Sequence, residues 1–421
     1  MGDHLARHGW TRSGAGASTR CYGLVVPESR KTVIAGIVLS VLLVPAACAS
    51  GPVAGGGVPA APTASVPANP PRPASCAPAP PADPLSDQGW LGLLAATPDD
   101  VALVVDDGRG APDSVVSHAP ERPMPLASAV KIVHVAAYGR AVAEGRTDPD
   151  EPVRVADWER WYLPADGGAH IASLDALGIP RTERGVAADP ERTVPLSSLV
   201  AVMVQQSDNA AADYLRDRLG DRALVDAAAA GGWLDLDLPS ELGAQLALVR
   251  PREAPPLTAP RAERGPAELA LARRYAADPA FRLDSQRRLA ELAADTEAYL
   301  LESERWALST STGSAAQVAG LWRALIGGSF GPGADVARAH LEWGGPRPDG
   351  QVRASKGGSF PGVGTMALGI RRPDSSVGIG VLLGRGFAPT ADPTAVGLAQ
   401  TRLLAASLED PADRARVLCL A

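Results

Sequence analysis

The sequence has 421 residues, a formal net charge of −7, 46% apolar residues and only 4% aromatic ones. That length holds one large domain or two ordinary ones. The acidic balance excludes a nucleic-acid partner, which needs a basic face, and the scattered His118, His134, His170 and His340 lack metal-ligand spacing, so no metal or other cofactor is expected.

In chain order, residues 1–50 read as an N-terminal tail and signal peptide. An apolar run of 15 residues, 33–47, follows Arg30 and Lys31 and precedes the small residues Ala46 to Ser50. The run falls short of the roughly 20 residues a membrane span needs. Cys48, after two alanines, is the candidate lipidation site; Pro45 departs from the usual aliphatic residue there, and cleavage near Ala49 with free secretion is the alternative. The chain is therefore expected to be exported, either as an outward-facing membrane lipoprotein or secreted, touching a membrane only through Cys48. Residues 51–84 are rich in Pro, Ala and Gly and read as a disordered, semi-extended linker. Cys76 and Cys419 flank the folded part. In an oxidising compartment the pair is the candidate for one bridge, with a chain-entropy contribution on the order of 4–5 kcal/mol; two exposed thiols in loose ends is the other reading.

One domain is expected over 85–421. Val101–Val105 and Ser114–His118, around the turn Asp106-Asp107-Gly108, predict a β-hairpin. A helix follows over Ala127–Glu144 and stops at Gly145. Residues 194–219 predict a helix interrupted near Ser207. Helices continue through 221–310, an insertion at 244–308 included, and over 314–327. Strands are predicted at 352–356, 364–371 and 377–383, and a closing helix at 391–408. The expected fold is α+β: an antiparallel five-stranded sheet from both chain ends, flanked by helices, with an inserted all-helical block over about 145–345. A monomer is expected.

Three short segments carry chemistry. Ser128-Ala-Val-Lys131 opens a helix, and a spacing of three puts the hydroxyl and the amine on one face. A hydroxyl nucleophile needs a base, and burial can make a lysine one. Ser207-Asp208-Asn209 offers a second hydroxyl and an amide, or otherwise a plain cap. Lys356-Gly357-Gly358-Ser359 ends a strand, where a lysine faces an anionic group and glycines permit close approach, or otherwise a plain turn. The chain has only three Lys (Lys31, Lys131, Lys356) and two Asn (Asn69, Asn209), and Arg cannot replace a lysine that must lose its proton.

Taken together the segments resemble the S-x-x-K, S-D-N and K-[ST]-G set of class A β-lactamases and the related penicillin-recognising serine hydrolases. The resemblance covers most of 85–421 and implies the β-lactamase/transpeptidase-like fold. It implies Ser128 as the acylated nucleophile, Lys131 as base and Ser207 as the acid for the leaving nitrogen. Asn209 would hold the substrate amide, and Lys356 and Ser359 a carboxylate beside Gly358. The backbone N–H groups of Ser128 and Ser359 would form the oxyanion hole. The implied substrate is a β-lactam or a peptidoglycan D-Ala peptide. Other readings are a D,D-peptidase, an esterase, a slow penicillin-binding protein, or a non-catalytic cell-wall-binding lipoprotein.

Two departures stand out. Gly357 replaces the hydroxyl residue of the third motif. The family's Glu-x-x-Leu-Asn segment, whose Glu activates the deacylating water, is not matched in 233–245: Glu241-Leu242 lacks the Asn, and Asp235 and Asp237 are the other acids, each also readable as a surface loop residue. The aromatic patch Trp158–Tyr162 either lines the cleft mouth or packs in the core.

Overall fold

The computed structural model describes residues 66–421. The signal run 33–47 and Cys48 lie outside the described residues.

Helix α1 (Asp87–Ala96) precedes the hairpin β1 (Val101–Asp106) and β2 (Val115–His118). Short β3 (Met124–Pro125) leads into a 3₁₀ turn, Ala127–Lys131, and α2 (Ile132–Ala143). The helical block comprises β4 (Pro152–Arg154), α3 (Val155–Glu159), α4 (Ala169–Ala176), β5 (Thr193–Pro195), α5 (Leu196–Gln205), α6 (Asn209–Leu219) and α7 (Asp221–Ala230). It continues through α8 (Glu241–Val249), α9 (Arg261–Ala277), α10 (Pro279–Ala293), α11 (Thr296–Ala307), β6 (Thr312–Gly313), α12 (Ala315–Gly327) and α13 (Ala334–Leu341). Strands β7 (Val352–Phe360), β8 (Val363–Arg371) and β9 (Val377–Arg385) follow, then α14 (Pro393–Glu409) and α15 (Pro411–Leu420).

The main sheet has the order β2-β1-β9-β8-β7 and is antiparallel throughout. Period-two alternation divides its central strands between two cores. Ala102 and Val104 of β1, with Val381 and Leu383 of β9, face the helical block. Leu103, Val105 and Leu382 face Trp90 of α1 and Leu404 of α14. Strand β7 is an edge, so one side of it is free to border a cleft.

Three local expectations change. The helix over 127–144 begins as a 3₁₀ turn rather than α, because Ala127 sits at φ +43° and the chain enters the helix sharply. The segment expected to be a free linker is docked from residue 66 on. Asn69 uses its amide as a strand would, donating to Ser117 O and accepting from Ser117 N, both at 2.7 Å, and so caps the edge strand β2. Cys76 is bridged to Cys419 as the candidate pairing had it, with Cα atoms 5.6 Å apart, and what changes is that an additional helix, α15, carries Cys419.

Candidate active site

The 3₁₀ turn eclipses side chains three residues apart. It sets Lys131 Nζ 2.9 Å from Ser128 Oγ, with both residues buried. Lys131 also donates to Ser207 O at 2.7 Å and to Asn209 Oδ1. No described carboxylate forms a salt bridge with it. Burial lowers its pKa below the lysine range, while the charges of Glu241, Asp208, Asp166 and Asp213 act the other way. An amine depleted of its proton accepts one from the hydroxyl along the same contact.

The 207–209 turn lies between α5 and α6. Ser207 adopts a left-handed φ of +67°, a strained choice for a residue with a side chain. Asp208 caps α6 by accepting from Ala211 N at 2.7 Å. Its other oxygen meets His170 Nδ1 at 3.0 Å, and His170 Nε2 meets Glu159 at 3.2 Å. Burial opposes a charge on His170, but the Asp208 carboxylate outweighs it, with Glu159 adding to the effect, and raises the pKa to about 9. This buried carboxylate–imidazolium–carboxylate group anchors the turn from behind. Trp158 and Tyr162 pack on the His170 ring. Trp158, Trp161 and Tyr162 are all buried, so the aromatic patch is core packing and not cleft lining. The lip on that side is instead the loop Ala165–Ala169.

On β7, Lys356 and Gly358 share the face toward Ser128, while Gly357 and the exposed Ser359 take the other. Lys356 Nζ donates to Ser207 Oγ at 2.9 Å and to Gly357 O at 2.6 Å. Burial, reinforced by the Lys131 charge, holds its pKa well below the usual lysine value. Ser207 thus stands between two lysines. A Cβ at position 358 would lie 2.3 Å from Ser128 N, so only glycine lets the strand edge close on the nucleophile turn. Thr365 of β8 ties the two together, its hydroxyl shared between Leu126 O at 3.0 Å and Gly358 O at 3.2 Å.

The three acids of 233–245 separate by their partners. Asp235 accepts from Gln317, and Asp237 pairs with Arg261 at 2.9 Å and caps Thr312 N. Both are structural. Glu241 differs: it is buried, its Oε1 has no hydrogen-bond partner, and its charge acts on Lys131 and Lys356. It sits in the first turn of α8, and Gln245, one turn on, reaches the cleft. Asp213 of α6 fixes that turn by accepting from Ser240 Oγ at 2.8 Å and Leu242 N at 2.7 Å. Burial raises the Asp213 pKa to about 6. The sequence held the signal: Pro-Ser-Glu is a helix-cap pattern, and Glu241 and Gln245 lie four apart, a carboxylate and an amide on one face.

Ser128, Ser207, Asn209, Gln245 and Ser359 line a cleft of about 750 Å³, behind which the buried Lys131, Lys356 and Glu241 sit. A hydroxyl held by a buried amine at the floor of such a cleft defines a serine hydrolase. The family model for the β-lactamase enzyme family matches residues 92–332. The chain belongs to that family. No curated protein matches the sequence. Among solved structures, a β-lactamase from Sphaerobacter thermophilus DSM 20745 is similar at 18% identity, covering 75% of this chain and 93% of that one with a TM-score of 0.48. PBP-A is similar at 16% identity, 82% and 98% coverage and a TM-score of 0.40. A class A β-lactamase from Mycobacterium abscessus gives 14%, 76%, 92% and 0.40 on the same measures.

Proposed function

We propose that this serine hydrolase opens β-lactam-type amides through an acyl-enzyme on Ser128. Lys131 takes the hydroxyl proton as Oγ attacks the carbonyl. The Ser128 and Ser359 amides hold the oxyanion, and Ser207 returns a proton to the leaving nitrogen. Asn209 holds the substrate amide, and Lys356, on the β7 face toward Ser128, meets a carboxylate. Glu241 activates the water that releases the acyl group, with the Gln245 amide orienting it. The observation that carries this reading is the 2.9 Å contact between Lys131 and Ser128, buried and with no acid against the amine. The proposal includes export, resting on the 33–47 run, and anchorage at Cys48.

A second reading, a D,D-peptidase or esterase that hydrolyses β-lactams slowly, is favoured by Gly357, which brings no hydroxyl to the carboxylate arm. Incubation with a fluorescent penicillin, followed by intact mass beside Ser128→Ala, decides between them. A Ser128-dependent adduct with fast chromogenic-cephalosporin turnover supports the β-lactamase. A stable adduct with slow turnover supports the second reading. No adduct together with no turnover refutes both as β-lactam hydrolases and leaves an esterase or a cell-wall-binding protein.

A further inference from the structure

The helices of the 244–308 segment do not stand apart from the site. Val249 at the end of α8, Leu289 of α10, and Tyr299 and Trp306 of α11 all line the cleft that begins at Ser128. Val249, Leu289 and Trp306 are at most 7% exposed. Trp306 spends its one polar atom on Ala244 O at 2.7 Å and stands edge-on to Phe360, centroids 4.7 Å apart, so the surface it offers is carbon. A wall of this kind gains free energy by covering apolar surface.

Two further observations define what it covers. Among the described residues lining the cleft Asp166 is the sole charged one, and the lining from β8 and α14, with Met366, Thr394 and Leu398, includes no arginine to hold a carboxylate. Within the apolar wall, Ser303 is 2% exposed and its Oγ has no hydrogen-bond partner. An orphaned buried hydroxyl is costly unless something in the cleft satisfies it.

Resting on the Ser128 acyl-enzyme reading, we infer that α8, α10 and α11 form an acyl-side subsite for an extended apolar group bearing one hydrogen-bond acceptor, so the preferred substrates are esters or amides of long apolar carboxylic acids. In the acylation step, Ser128 Oγ forms the new ester bond and the bond to the leaving alkoxide or amine breaks. The hydroxyl proton passes to Lys131 and on to the leaving group.

The test uses the full chain and p-nitrophenyl esters from acetyl to octanoyl. At about 0.8 kcal/mol per buried methylene, kcat/KM rises two- to fourfold per carbon in the wild type. Leu289→Gln flattens that slope, cutting the octanoyl-to-acetyl ratio at least tenfold. Ser303→Ala lowers kcat/KM about tenfold for a chain carrying a mid-chain carbonyl, relative to the plain chain. Circular dichroism checks that each variant is folded, and the wild-type slope needs no variant. Ser128-dependent acylation with no dependence on chain length overturns the subsite and leaves the acyl-enzyme standing. No Ser128-dependent acylation by any donor overturns both.

Discussion

The two walls of the cleft are held by different physics. On one side, the nucleophile turn, the 207–209 turn and β7 are fixed by backbone geometry: left-handed Ala127 and Ser207, the contact of Gly358 with Ser128 N, and the Thr365 bridge. On the other, α8–α11 are laced by charge. Arg261 pairs with Asp237 and Glu268 at 2.9 and 2.8 Å, Arg264 with Glu268 at 3.1 Å, and Arg250 with Asp284 at 2.8 Å. The groups proposed to react therefore sit where the backbone leaves no freedom. The groups proposed to choose substrate and water sit on an ion network that mutation and salt can loosen.

The sharpest way to separate the walls is Glu241→Gln. It leaves Ser128 and Lys131 in place, so acylation continues while deacylation slows by about 10²–10⁴-fold and the adduct accumulates; burst kinetics read both steps. Unchanged turnover removes Glu241 from the mechanism.

Next in size is Arg264→Met, which leaves Glu268 less well paired at 1% exposure. Breaking a buried pair outright costs about 3–5 kcal/mol, and because Glu268 keeps Arg261 at 2.8 Å the expected loss falls at the low end of that range. Hydrogen exchange is expected to show α9–α11 opening while β7–β9 stay protected. Uniform loss of protection across both walls means they are not held separately.

The third concerns His170, behind the geometric wall. Its pKa is about 9 in the fold against 6.5 as an ordinary histidine. The stabilisation is therefore complete below about pH 6.5 and is lost as the pH rises through 9, on the order of 3 kcal/mol in all. Urea midpoints from pH 6 to 10 follow this, and a His170→Gln variant removes the slope. An equal slope in that variant assigns the pH dependence elsewhere.

The sheet and the residues Ser128, Lys131, Ser207, Asn209 and Lys356 were legible because strand alternation and short motifs are local, and because Lys and Asn are so scarce that each survivor marks a place. Glu241 was legible only as one of three candidate acids, since what sets it apart is the partner its Oε1 lacks, and that is visible only once Asp235 and Asp237 are seen to be paired. Trp158–Tyr162 stayed open between two readings for the same reason: an aromatic cluster reads alike at a cleft mouth and around a buried His170. The docking of Asn69 on β2 and the contribution of α10 and α11 to the cleft depend on contacts far apart in sequence, which no window of residues reveals.

The central claim is that a deprotonated lysine amine activates Ser128. Stopped-flow acylation by a fluorescent penicillin, wild type against Lys131→Arg, tests it most directly, because arginine keeps a long hydrogen-bonding side chain there but cannot lose its proton to act as the base. The account predicts an adduct on Ser128 in the wild type and a rate at least 10²-fold lower in the variant. Equal acylation rates in the two proteins would contradict it.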